Sequence, residues 1–257
     1  MAAKKKVYET VSFYGGAAVI EKVPHGEHVR FRRAGEKSFL LSATRVTGHL
    51  DKSRVLIPWA VGLVAAHVRE KLCVSGQFSS EEILLVVNDA VRKPDEKKEQ
   101  GGDIGTVIHD FCRDFARAKM AGTATPNLDH IDEDTEDGAK ALNGINAFLD
   151  WYNGNDVEFV FVEEPVYFNS KLAGDAPGNA PLVEYVGIVD AVARVNGELR
   201  VIDYKTSKGV YDDQRFQVAA YVRALSNDSR VEKLPDGASI LNFNKETGDL
   251  IHLDLPM

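Results

Sequence analysis

The sequence predicts an α/β protein with a central mixed sheet flanked by helices, and three observations carry that prediction. A helix of period 3.6 over residues 104–121 is followed by three β-rich runs, then a helix, then a hairpin. The runs Val183–Val195 and Glu198–Lys208 are joined by Asn196-Gly197, a strong two-residue hairpin signal. One of those runs, "RVIDYKTSK", places Asp203 and Lys205 on one face of an otherwise apolar strand.

Along the chain, "HVRFRRAGEKSFLLSATRV" (His28–Val46) reads as a hairpin turning at Ala34-Gly35. "IPWAVGLVAAHVREKL" is helical, with Pro58 in its first turn. "SSEEILLVVNDAV" opens with a capping box, Ser79 and Glu82. "RKPDEKKEQGGD" (Arg92–Asp103), charged and closed by a Gly pair, reads as a linker or mobile loop. It divides a basic, mostly helical N-terminal extension (1–100) from a core (101–257). In the core, Ile104, Ile108, Phe111, Phe115 and Ala118 form one helical stripe ended by Gly122, and "GAKALNGINAFLDWYN" is a second helix. "VEFVFVEEPVYF" is a strand bent at Pro165, Asp212 is placed to cap "DQRFQVAAYVRAL", and "ASILNFNKETGDLIHLDL" is a closing hairpin.

The 257 residues are 44% hydrophobic and 27% charged, enough to bury a core. The longest apolar run, "VLIPWAVGLVAA", is too short to span a bilayer, and "MAAKKK" has no apolar stretch behind it, so neither a membrane segment nor a secretory signal is expected. A cytoplasmic location is the expectation that follows, in a bacterial or phage-infected cell. Two distant cysteines, Cys73 and Cys112, cannot build a four-cysteine zinc or iron–sulfur site. The net charge of −8 hides an asymmetry: residues 1–71 hold 13 Lys/Arg against 6 Asp/Glu, and the remainder 18 against 33. A basic N-terminal third is suited to a phosphate backbone.

With Asn196-Gly197 as the loop, Val195 pairs with Glu198, and Asp190 falls opposite Asp203. Ile188, Val192, Leu199 and Val201 are predicted on their face, and Val189, Ala191, Ala193 and Ile202 on the other. Two opposed carboxylates in a low-dielectric setting repel. Protonation of one, neutralisation by Lys205, or a divalent cation between them relieves this, and hard oxygen ligands suit Mg²⁺ or Mn²⁺. A plain Asp–Lys–Asp ion triad at a sheet end fits the same pattern. His109 lies on the stripe Gly105–His109–Cys112–Ala116, where the two small residues leave room for something to approach it. Gln217 and Tyr221 share a helix face at i and i+4. One of Glu163 and Glu164 must point inward, and the sequence leaves open which one and toward what.

"GTVIH", "GIVD", "IDYKTSK" and "QVAAY", in that order over residues 101–225, resemble the motif series of the PD-(D/E)XK nuclease superfamily, in particular the RecB-like and phage-type exonucleases and the mitochondrial genome maintenance group. "ATRVTGHLDKSRVLIPWA" more loosely resembles an N-terminal segment of phage members. The resemblance implies a restriction-endonuclease-like core and a Mg²⁺- or Mn²⁺-dependent deoxyribonuclease without an iron–sulfur cluster. It implies His109, Asp190, Asp203 and the Tyr204 carbonyl as metal ligands, with Asp190, Asp203 and Lys205 catalytic. Gln217, Tyr221 and Lys208 would contact DNA, with Glu164 a further candidate. Exonuclease action leaving 5′-phosphates is the expected activity. The alternatives are a structure-selective or single-strand endonuclease, and a non-catalytic DNA-binding subunit that keeps the fold. DNA, single-stranded or at a duplex end, is the expected partner, together with a recombination or replication protein.

Overall fold

A computed structural model describes residues 8–26, 28–47, 52–73, 77–175 and 181–256. The chain opens with an antiparallel meander of β1 (Glu9–Phe13), β2 (Ala18–His25) and β3 (His28–Arg33). β3 pairs antiparallel with β2, from Ile20 opposite Arg33 to His25 opposite His28, rather than forward across Ala34-Gly35. The expected hairpin is therefore corrected. Residues 36–42 are not a strand; they cross to the core, where Ser42 bridges Val186. The N-terminal extension thus begins as a sheet and becomes helical only at α1 (Ala43–Thr47) and α2 (Ser53–Leu72).

The second correction concerns Arg92–Asp103. This stretch lies inside one continuous helix, α3 (Ser80–Ala121), so the 100/101 division falls within an element. Its charges act as helix pairs rather than as linker composition: Lys93 meets Glu96 at 2.9 Å and Asp89 at 3.5 Å. The Gly pair is held from outside, since Lys245 Nζ donates to the Gly101 carbonyl at 2.8 Å. The capping box of Ser79 and Glu82 starts α3, and Gly122 at φ 65° ends it.

After α4 (Glu136–Asn153) comes the main sheet, in the order β4 (Val157–Asn169), β5 (Glu184–Val195), β6 (Glu198–Lys205), β7 (Gly237–Phe243) and β8 (Leu250–Pro256). All pairs are antiparallel except β6 with β7, which α5 (Asp212–Leu225) connects. Tyr211, not Asp212, is the N-cap of α5; its N–H donates to Gln214 Oε1 at 3.0 Å. Helices α3 and α4 cover one face with Ile108, Phe111, Phe115 and Phe148 on Ala191, Ala193, Ile202 and Tyr204. Helix α5 covers the other, with Val218, Tyr221 and Val222 against Val189, Val192, Val201 and Ile240.

The faces of β5 do not follow simple alternation. Val189 packs with Val192 on the α5 side, although Ala191 points to α3 and α4. Strand β4 inverts at the same level: Val162 belongs to the α3 side and Val166 to the α5 side. Between them Glu163, opposite Asp190, has φ 51°, the left-handed residue at which the faces invert within the continuous strand. The predicted grouping of Ile188 with Val192 is thus overturned, and Ile188 is 39% exposed.

Candidate active site

The Asn-Gly turn sets the predicted register: Val195 pairs with Glu198, with Asn196 and Gly197 both at positive φ. Pairing runs to Ala191 and Ile202 and stops one step before 190–203. There the strands part, and Asp190 Oδ2 instead accepts the Tyr204 backbone N–H at 2.7 Å. Beyond this point β6 stays in the sheet through β7, as far as Lys205 opposite Asn242. Asp190, Asp203 and Lys205 therefore meet where two neighbouring strands diverge.

Asp203 is 1% exposed. Lys205 Nζ stands 2.5 Å from its Oδ2 as an ion pair, while donating its hydrogen bond to the Tyr204 carbonyl at 3.2 Å. Neither Asp203 oxygen accepts a well-directed hydrogen bond from any described residue. Burial, reinforced by the charge of Asp190, pushes the Asp203 carboxyl up to about 6 against the opposing pull of Lys205. Burial also raises Asp190, with Lys205 and the Tyr204 N–H opposing it. Lys205 itself is raised on balance, because the two carboxylates outweigh the effect of its burial.

His109 approaches from α3, its Nδ1 3.9 Å from Asp190 Oδ2 and its ring edge-on to Tyr204. Burial and the Lys205 charge lower its pKa to about 4, leaving a neutral imidazole near pH 7. The space beside it is already used. A methyl group on Gly105 would stand 2.8 Å from Thr206 Oγ1, so this glycine admits the loop after β6 rather than a ligand. Gly187 plays the same part for Tyr221, whose ring would lie 2.3 Å from an added Cβ. Gln217 Nε2 donates to Tyr221 Oη at 2.7 Å and holds that ring in place.

The structure thus brings together His109, Asp190, Asp203, Tyr204 and Lys205, with Tyr221 and Gln217 on the α5 side. It does not bring in Glu164, which faces Arg230 at 3.4 Å. Glu163 is the glutamate on the site's flank, paired with Arg117 at 3.3 Å and Arg113 at 3.8 Å. Its position was hidden in the sequence because the strand inverts there. Lys208 is exposed in the bend after β6, without a hydrogen bond or ion pair among the described residues.

Among the described residues, no three His, Cys, Asp or Glu side chains come together in a group that could hold a metal ion. The donor chemistry is nonetheless of the kind a hard divalent cation takes: a buried carboxylate paired only with Lys205 among the described residues, a second carboxylate, a backbone carbonyl and a neutral imidazole.

The sequence matches the PD-(D/E)XK nuclease superfamily over residues 83–252, two thirds of its length, and the chain belongs to that superfamily. No curated protein matches. Among solved structures, the crystal structure of SSO0001 aligns at 12% identity over 58% of this chain and 65% of that one, with a TM-score of 0.28. The chain therefore spans just under two thirds of that protein, and so slight a likeness carries no argument about function. Among the described residues, no helix is long and apolar enough to cross a membrane.

Proposed function

We propose that the chain is a metal-dependent deoxyribonuclease, acting as an exonuclease that leaves 5′-phosphates. The observation that carries this reading is the buried Asp203 carboxylate, which among the described residues has Lys205 as its one close cation, at 2.5 Å, and Asp190 beside it. Two buried carboxylates facing one lysine leave an excess negative charge that a divalent cation would neutralise. Asp190, Asp203, the Tyr204 carbonyl and His109 would hold a divalent cation; bound there, it polarises a phosphodiester oxygen and lowers the pKa of a water.

The chain's own groups supply the rest. Lys205 orients the attacking water and stabilises charge developing on the phosphate. It is suited to this because the neighbouring carboxylates keep it cationic. Its Nζ is tethered at two points, Asp203 and the Tyr204 carbonyl, so little rotamer freedom is lost on reaction. The Asp190–Tyr204 hydrogen bond fixes one carboxylate across the strand gap. Gln217 and Tyr221 form a rigid pair on the opposite wall, placed to set the position of the strand.

The test is cleavage of linear and circular, single- and double-stranded DNA with Mg²⁺ or Mn²⁺, alongside Lys205→Ala and Asp203→Ala. The expected result is degradation of linear DNA, with each variant slowed by at least about 10²-fold, the scale of losing a charge-stabilising group. Full activity in Lys205→Ala would overturn the mechanism, and cutting of circles would make the enzyme an endonuclease.

A further inference from the structure

A groove of about 370 Å³ lies between β3, α1, β5 and Tyr221. It shares Tyr221 with the candidate active site. Ile188 on its wall precedes Asp190 by two residues, roughly 7 Å along a strand. Tyr221 on its floor feels the charges of both Asp203 and Asp190.

Its two ends differ in chemistry. One wall is apolar and open to solvent: Val29 is 45% and Ile188 39% exposed, with Leu40 between β3 and the core. Exposed apolar residues lining a concave surface beside a reactive site mark a binding wall. The other end carries Ser42, Thr44 and the exposed Arg45, whose guanidinium has no ion pair among the described residues. Arg30, at the mouth, is stacked over Phe39 at 4.6 Å and presents a flat cationic face. A wall for a planar apolar group and a free cation at one end match a single nucleotide, base at one side and phosphate at the other.

We propose that this groove seats one unpaired nucleotide of the strand being cut, its base against Val29, Leu40 and Ile188 and its phosphodiester toward Arg45. The proposal deepens the nuclease reading and rests on it for the strand's identity. A base inside a duplex is stacked and paired and cannot enter such a groove. The groove therefore selects single-stranded ends over duplex.

Binding is measured by fluorescence anisotropy on the Lys205→Ala chain, so that the DNA stays intact. The probes are a single strand of about 10 nucleotides, the same strand with abasic sites, the strand without its 5′-phosphate, and the duplex. The abasic strand and the duplex are expected to bind about tenfold more weakly, as befits loss of a stacked base. Removing the terminal phosphate should change affinity less than about twofold, since an internal phosphodiester is the one expected at Arg45. Val29→Asp and Ile188→Asp, each added separately, should shrink the base-dependent difference to below about twofold. Equal binding of the abasic strand, or a loss traced only to the terminal phosphate, would overturn the proposal without touching the nuclease reading. Base-dependent binding by a wild-type chain that cleaves nothing would sink the nuclease reading and keep the groove.

Discussion

Asp203 concentrates the physics of the site. Burial pushes its carboxyl up to about 6 in the folded chain, from an ordinary value of 3.8. The sign follows from linkage: the folded state holds the proton more tightly, so stability falls as pH rises from about 4 to 6 and stays low above. The ceiling on that loss is about 3 kcal/mol. Asp203→Asn removes the buried charge, so its Tm without divalent ions should exceed that of the wild type by several degrees at pH 7.5, and should match it at pH 4. Mg²⁺ or Mn²⁺ should raise the wild-type Tm and leave the variant's unchanged. A variant less stable than the wild type at pH 7.5 would show that Lys205 already compensates the charge in full. That Asp190 and Asp203 lie close together was legible from residue spacing. That Asp190 turns to the Tyr204 N–H, and that Glu163 rather than Glu164 flanks the site, was not. Both follow from an inversion at Glu163 that no local pattern announces.

At the scale of elements, the glycines of "GTVIH" and "GIVD" serve packing. Gly187→Ala would drive a methyl into the Tyr221 ring, which Gln217 prevents from swinging away. A loss of about 1–3 kcal/mol is expected in denaturant unfolding, the usual cost of overpacking. A neutral result would mean that the Gln217–Tyr221 pair moves freely. Helix α3 makes a different prediction. Because Arg92–Asp103 is helical and braced by Lys245, its amide hydrogens should exchange at rates comparable to the rest of α3 rather than like a loop. Rapid exchange confined to this stretch would restore the linker. The sequence misleads here because Pro, Gly-Gly and dense charge are breaker signals locally. Their tolerance comes from ion pairs along the helix and a lysine from the β7–β8 loop.

Over the whole molecule, charge is divided between a basic N-terminal third and an acidic remainder. The extension is tied to the core at the start of β5 by Arg33–Glu184 at 2.6 Å and by the Ser42–Val186 bridge. DNA affinity should therefore fall steeply with salt, and Arg45→Ala should reduce the slope of log K against log salt by about 1. Binding insensitive to salt would separate the basic face from function.

What the sequence determined by itself is short-range: the Asn-Gly turn and the register it sets as far as Ala191 and Ile202, the Ser79–Glu82 cap and the Gly122 stop of α3, and the apolar stripes of the helices. These depend on backbone geometry within a few residues and on periodicity. The tertiary structure decided the rest. It chose the partner of β3, fused two predicted helices into α3, inverted β4 and β5 at Glu163 and Asp190, and gave the motif glycines to Thr206 and Tyr221. Each of these depends on groups distant along the chain competing for the same space, and nothing in the neighbouring residues records who wins.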